Sequence, residues 1–395
     1  MFLKGVGLMK RLEPKYRISV GGWHLLAQNM AFGNPTEGGF SSMRDALGAV
    51  GALNRVLKTE HNLEISVSAH LNHELAVDID DENVGFMARY NSNRSIPLDE
   101  WITAYRIGKY PPIGRIVPPG FGYPWSDRGA FINPVEEIRE RTKLMMVHAF
   151  QLSEKVKAGS AGFGEVTCWT GPDGISWERL VNGDDPVLSY ENNKELDEYK
   201  KIIEGVSSAI IMARDLGYNS RLLLEGKAGG DPCYLDVFTD TRLEIAAINE
   251  INALVGTKVV EWQGEFAHVR GGGETFSNGL RMAIDGGVFN GAIHLNSGGI
   301  AQQKFSDLLS VGTKMSLFQQ YVDPDYLPGQ GVTEWLEDQS DTLLVGALWA
   351  GKEEDRIFQI EFDARFSRDK DTIGALKKSI DWTVREMQKH GAVPV

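Results

Sequence analysis

Short β-rich runs alternate with longer helical runs along this chain, and that alternation limits its fold more than any other feature. Strand-like runs occupy 17–20 (RISV), 63–69 (LEISVSA), 163–169 (FGEVTCW), 220–225 (SRLLLE), 258–262 (KVVEW), 290–295 (NGAIHL) and 357–363 (IFQIEFD). They are rich in Val, Ile, Leu and Phe and bounded by turn residues. Segments 41–58, 133–157, 191–216, 239–255, 273–286, 313–321 and 371–389 carry apolar residues at spacings of three and four, which predicts helices. Thr239 and Asp240 open one of these as helix caps do. An eighth strand is expected between 108 and 132, where IGRIVPPGFGYPW is apolar but broken by Pro and Gly. Eight alternating units imply a parallel sheet. A closed (β/α)8 TIM barrel is preferred to an open doubly wound sheet, because no G-x-G-x-x-G follows the first strand. Segments 76–110 and 322–355 read as loop insertions in a single domain spanning 1–395, and LLVGALWA in the second can form a helix of its own.

The composition fits an ordinary globular enzyme. Of 395 residues, 42% are apolar and 24% charged, which excludes a disordered chain, a coiled coil or a collagen-like repeat. No run reaches the roughly 18 apolar residues of a membrane span. Lys4 and Lys10 interrupt the N-terminus before a secretory signal can form, and two cysteines, Cys168 and Cys233, cannot build a disulfide framework. A reducing cytoplasm is expected. The net charge of −13 argues against a nucleic-acid partner. A small molecule remains the natural partner.

In a barrel, chemistry sits where strands end, because that face is built from the βα loops. Here the strand-like runs terminate in Trp23-His24, in His70 with Asn72 and His73 behind it, in Trp169, in Glu225 with Lys227, in Glu265 and His268, in His294 and Asn296, and in Asp363 and Arg365. Glu225, Glu265, His268, His294 and Asp363 offer three carboxylates and two imidazoles. That mixture suits Mg²⁺, Mn²⁺ or Co²⁺ better than structural zinc, which favours Cys. Glu261 shares a strand face with Glu265. Glu265 is preferred because Gly264 loosens the strand and His268 follows.

These motifs resemble those of the xylose isomerase-like barrel family, which includes xylose and L-rhamnose isomerases, sugar epimerases and endonuclease IV-type nucleases. Trp169-Thr-Gly-Pro-Asp-Gly174 is similar to its Trp-x-Gly-x-Asp/Glu-Gly, and Glu225-Gly-Lys227 to its Glu-Pro-Lys. Glu265-Phe-Ala-His268 is similar to its Glu-x-x-His, and His294-Leu-Asn296 to its Asp/His-x-Asn. Phe362-Asp363-Ala-Arg365-Phe-Ser-Arg368 is similar to its last motif. The matches run in order from about residue 17 to 368.

The resemblance implies roles. Glu225, Glu265, His294 and Asp363 would hold one divalent ion, and Glu265 with His268 a second. Lys227 would bond the substrate carbonyl, and His70 would help open a cyclic sugar. Trp23, Phe121 and Trp169 would wall the pocket, with Asn296 also among the substrate-binding positions. The chain departs from the pattern in three places. His294 stands where xylose isomerases carry Asp, as in L-rhamnose isomerases. After Lys304-Phe305, only Asp307 stands for the usual Asp-x-Asp of the second ion. Leu71-Asn72-His73 replaces the acidic partners expected after His70.

The resulting expectation is an aldose–ketose isomerase using one or two Mn²⁺, Co²⁺ or Mg²⁺ ions to support a hydride shift between C1 and C2. A sugar epimerase working by proton transfer is the first alternative, and a non-catalytic sugar-binding relative the second. A nuclease would need more histidines and a basic track. A homo-oligomer is expected, but not the arm-mediated tetramer of xylose isomerases, since only 32 residues follow Asp363.

Overall fold

In a computed structural model, the described residues are 12–27, 38–71, 74–76, 94–118, 129–170, 174–176, 194, 196–226, 234–238, 240–271, 273–297 and 327–395. Among them, eight parallel strands form a nearly closed barrel: β1 (Lys15–Gly21), β2 (Ser66–His70), β3 (Ile113–Val117), β4 (Gly162–Trp169), β5 (Leu222–Glu225), β6 (Val260–Trp262), β7 (Ala292–Leu295) and β8 (Ile357–Phe362). Paired neighbours run β6-β5-β4-β3-β2-β1-β8-β7. The β6–β7 seam is joined by backbone bonds from Trp262 N to Val288 O (2.9 Å) and from His294 N to Gly264 O (2.9 Å). The eighth strand is β3, which ends before the Pro-Pro of the segment expected to hold it.

Helices cover the outside: α1 (Met43–His61), α2 (Leu98–Arg106), α3 (Glu136–Ala158), α4 (Asp197–Asp215), α5 (Thr241–Val255), α6 (Phe276–Asp285), α7 (Thr333–Ala350) and α8 (Thr372–Lys389). Side-chain caps start three of them. Ser42 Oγ accepts from Asp45 N, Asp240 Oδ1 from Leu243 N and Asp371 Oδ1 from Gly374 N. Each satisfies a backbone donor that the first helical turn leaves unpaired. The expected helix at 313–321 lies outside the described residues. No helix of the described residues is long and apolar enough to cross a membrane.

Two segments read as insertions contain barrel helices. Segment 76–110 holds α2, whose Leu98, Trp101, Ile102 and Ala104 are buried. Segment 322–355 holds α7, 18 residues long. Polar residues interrupt the apolar pattern of α7, because the helix buries Asp338, Gln339 and Thr342. Asp338 accepts from Phe276 N (2.9 Å) and Ser277 N (3.0 Å) at the start of α6, and from Arg270 Nη1 (2.6 Å). Thus a buried carboxylate on one helix caps the next.

Strand alternation divides β8 cleanly. Phe358, Ile360 and Phe362 are fully buried in the apolar layer, while Gln359, Glu361 and Asp363 engage polar groups inside the barrel. At the lower level, Arg115 is 1% exposed. It donates to Glu165 Oε2 (3.2 Å), Glu361 Oε2 (2.5 Å) and Gln359 Oε1 (3.1 Å). Arg221 donates to Glu165 and to Glu261 (2.8 Å), and Arg17 reaches Glu165 at 3.4 Å. Burial alone would raise the Glu165 carboxyl, but Arg221, Arg115 and Arg17 together hold it at about 2. Glu261 therefore belongs to this lower layer, where it pairs with Arg221.

Candidate metal centre

Above that layer, the strand ends bring four buried side chains together. One donor atom each of Glu225 (end of β5), Glu265 (after β6), His294 (on β7) and Asp363 (after β8) lies within 4.8 Å of the others. His294 Nδ1 is 2.9 Å from Glu225 Oε2 and 3.9 Å from Asp363 Oδ2. His268, on the short helix Phe266–Gly271, adds Nδ1 at 3.1 Å from Glu265 Oε2 and 3.3 Å from Glu225 Oε1. Gly264 is required here, since a Cβ on it would stand 2.1 Å from the Trp262 ring. Its carbonyl also closes the β6–β7 seam and aligns Glu265 with His294.

The electrostatics are those of a crowded anionic site. Burial, and then the neighbouring Asp363 and Glu225, push the Glu265 carboxyl well above its usual range. Burial also acts to raise Glu225, but His294 and His268 hold it at about 2. Asp363 is likewise held well below its usual range, against burial, chiefly by His24. Burial lowers His294, yet Glu225 outweighs it and lifts the imidazole to about 9. Among the described residues, no lysine or arginine forms an ion pair with these three carboxylates. The other such group, Glu60, His61 and Asp381, is on the surface and already contains Lys377, 2.8 Å from Glu60 and 2.9 Å from Asp381. Three buried carboxylates whose ion-pair partners among the described residues are imidazoles have the donor chemistry of a divalent-cation site.

The surrounding shell refines the sequence reading. Asn296, expected among substrate-binding residues, donates to Glu265 Oε1 (2.6 Å) and accepts from Ala267 N (3.0 Å). It orients a proposed ligand. Trp23 Nε1 donates to Asp363 Oδ1 (3.1 Å), and its ring lies 4.2 Å from that of His70. His70 in turn meets Glu74 Oε2 through both its backbone N (2.8 Å) and its Nδ1 (3.0 Å). A carboxylate thus stands against His70, one residue beyond 71–73. Trp169 is registered beside Glu225 across β4 and β5. Lys227, Asp307 and Phe121 lie outside the described residues.

Two contributors escaped the sequence reading as site residues. His24 is 2% exposed and donates through Nε2 to Asp363. Its place next to Trp23 at a strand end was the available signal. Glu74 carried only the signal of a carboxylate four residues after a strand-end histidine.

No protein-family model and no curated protein matches the sequence. Solved structures do match in fold. An L-ribulose 3-epimerase aligns with a TM-score of 0.55 at 10% identity, covering 95% of both chains. D-Psicose 3-epimerase from Clostridium cellulolyticum H10 aligns at 0.51 and 9% identity, covering 94% of this chain and 99% of its own. A xylose isomerase domain protein from Alicyclobacillus acidocaldarius aligns at 0.51 and 9%, covering 95% and 99%. The chain has the fold of the xylose isomerase-like TIM barrels.

Proposed function

We propose that this protein is a divalent-metal-dependent sugar isomerase that interconverts an aldose and a ketose. One observation carries the reading. The three carboxylates at the barrel mouth share a single cluster, and Trp23 links them to the His70–Glu74 pair. Epimerisation by proton transfer wants two carboxylate bases flanking one carbon. Glu225 with a second Glu could serve that chemistry, but Glu265-Phe-Ala-His268 and Trp169-Thr-Gly-Pro-Asp-Gly174 favour the isomerase.

Glu225, Glu265, His294 and Asp363 would hold the cation, with His268 at its edge. Imidazole in the set favours Mn²⁺ or Co²⁺ over Mg²⁺. When bound, such a cation supplies Lewis acidity at the carbonyl and adjacent hydroxyl of an open-chain sugar. His70 takes the proton of the anomeric hydroxyl on Nε2 and returns it to the ring oxygen as the cyclic sugar opens, and Glu74 holds the imidazole in place through Nδ1. Trp23 and Trp169 present flat apolar faces to sugar C–H groups and exclude water. Lys227 as carbonyl donor, Phe121 as a further wall and Asp307 at a second cation complete the reading on the sequence resemblance.

The test is a screen of aldoses and ketoses with chelator-stripped protein, re-supplied with Mn²⁺, Co²⁺ or Mg²⁺, in deuterated water. We expect turnover only with added metal, and product free of solvent deuterium. Full turnover after chelation removes the metal from the reaction. Deuterium at the reacting carbon replaces the hydride shift with proton transfer, and a product epimeric with the substrate replaces the isomerase with an epimerase.

A further inference from the structure

In the cluster that would hold the cation, His294 turns Nδ1 toward Glu225 and Asp363, 2.9 Å and 3.9 Å away, and leaves its second nitrogen unassigned. His294 Nε2 points down the barrel and lies 3.8 Å from Glu361 Oε1. Both atoms are buried, and neither has a hydrogen-bond partner. The two residues are direct cross-strand neighbours in the β7–β8 register. Glu361 itself is held firmly through its other oxygen. Oε2 accepts from Ser19 Oγ (3.0 Å), Ser68 Oγ (2.8 Å) and Arg115 Nη1 (2.5 Å), contacts that come from β1, β2 and β3. Glu361 is 0% exposed, so water cannot readily compete for Oε1.

We propose that Glu361 is a positioning residue for the metal centre: its carboxylate charge, facing Nε2 of His294 at 3.8 Å, favours the proton on Nε2 and thereby leaves Nδ1 as the metal ligand. The inference rests on the proposed metal site. An imidazole has two neutral tautomers, and only the one protonated at Nε2 offers a lone pair at Nδ1. Without a carboxylate below it, nothing would hold the proton on Nε2 against the Glu225 carboxylate, whose Oε2 lies 2.9 Å from Nδ1. That tautomer cannot ligate through Nδ1. Arg115, fixed between Glu165 and Glu361, sets the height at which Oε1 stands. The lower charged layer thus reaches the metal through one carboxylate. Partners of this kind commonly alter metal affinity by about 10- to 100-fold.

The experiment uses full-length protein with ¹⁵N-labelled histidine, loaded with diamagnetic Zn²⁺ as a probe ion. The His294 signals are assigned by their loss in His294→Asn. We expect the proton on Nε2 and the metal on Nδ1. In Glu361→Gln, Mn²⁺ affinity measured by calorimetry should fall about 10- to 100-fold, and the Nε2–H signal should shift or broaden. Glu361→Asp should recover part of the affinity. A ring protonated at Nδ1 in loaded wild type overturns the proposal even if Glu361→Gln does not fold. So does a folded Glu361→Gln with unchanged affinity and an unchanged Nε2–H signal, and in that case the metal site itself stands. If the wild-type protein binds neither Zn²⁺ nor Mn²⁺, the proposed function and this role for Glu361 fall together.

Discussion

Two charged layers are stacked along the barrel axis, and they are balanced in opposite ways. In the lower layer, Arg17, Arg115 and Arg221 face Glu165, Glu261 and Glu361. Arginine stays charged at any accessible pH, so this layer carries its own compensation. In the upper layer, the basic groups that pair with Glu225, Glu265 and Asp363 among the described residues are the imidazoles of His24, His268 and His294. Imidazole charge is conditional. The lower layer is complete as folded, whereas the upper one is suited to a cation from solution. A buried charge left without a partner is strongly destabilising, so the two layers should respond differently to the same kind of mutation.

Arg115→Met should produce the largest effect. It strands Glu361 with only Ser19 and Ser68 as hydrogen-bond partners among the described residues, while Glu165 keeps Arg221 and Arg17, at a cost of about 3–5 kcal/mol. Urea unfolding should show that loss with and without added metal. A small loss, or one rescued by Mn²⁺, would break the distinction between the layers.

Acid should reveal the lower layer next. Glu165 titrates near 2 in the folded chain, below the roughly 4.3 of an unfolded glutamate. Its contribution is therefore fully present above pH 4.3 or so, and is lost as pH falls toward 2. The gap corresponds to about 3 kcal/mol. Arg221→Met should weaken this dependence, as measured by urea midpoints between pH 7 and pH 2. An unchanged slope would mean that Glu165 is not held by its arginines.

Metal should act chiefly on the upper layer. At a free Mn²⁺ concentration about 100 times Kd, wild type should gain about 2.7 kcal/mol. Glu265→Gln should abolish that gain. In stripped protein near neutral pH the same substitution should cost little or even stabilise, because Glu265 is already pushed toward its neutral form by burial and by Asp363 and Glu225. Thermal midpoints with and without Mn²⁺ decide this. A large loss in the stripped protein would show that the upper layer is as self-contained as the lower.

The upper layer was far more legible in the sequence than the lower one. Glu225, Glu265, His294 and Asp363 each follow or close an apolar run, so their positions at strand ends can be read locally. The lower layer hides inside the strands. Arg115 and Glu361 are 246 residues apart, and only the folded register makes them partners. The same limit applies to α7. Asp338 interrupts its apolar pattern, and what justifies that interruption is the start of α6 some 60 residues earlier. Glu74 was close in sequence to His70 but one residue beyond the spacing considered. Local periodicity located the strands and most helices, whereas pairing across the barrel had to come from the structure.

The smallest effect should fall on the His70–Glu74 pair, which belongs to neither layer. Glu74 is 3% exposed, and one of its oxygens takes both the backbone N–H and Nδ1 of His70. Glu74→Gln keeps an acceptor in the same place but removes its charge. A charged acceptor is worth about 1 kcal/mol more than a neutral one, or roughly fivefold in rate. If His70 serves ring opening, that loss should appear with a sugar supplied in its cyclic form and vanish with one that cannot cyclise. His70→Ala sets the ceiling for the same selective defect. Mn²⁺ affinity should be unchanged in Glu74→Gln, because Trp23 stands between this pair and Asp363. Equal losses on both kinds of substrate would place His70 in the isomerisation step itself. A drop in Mn²⁺ affinity would instead make the pair an extension of the upper layer.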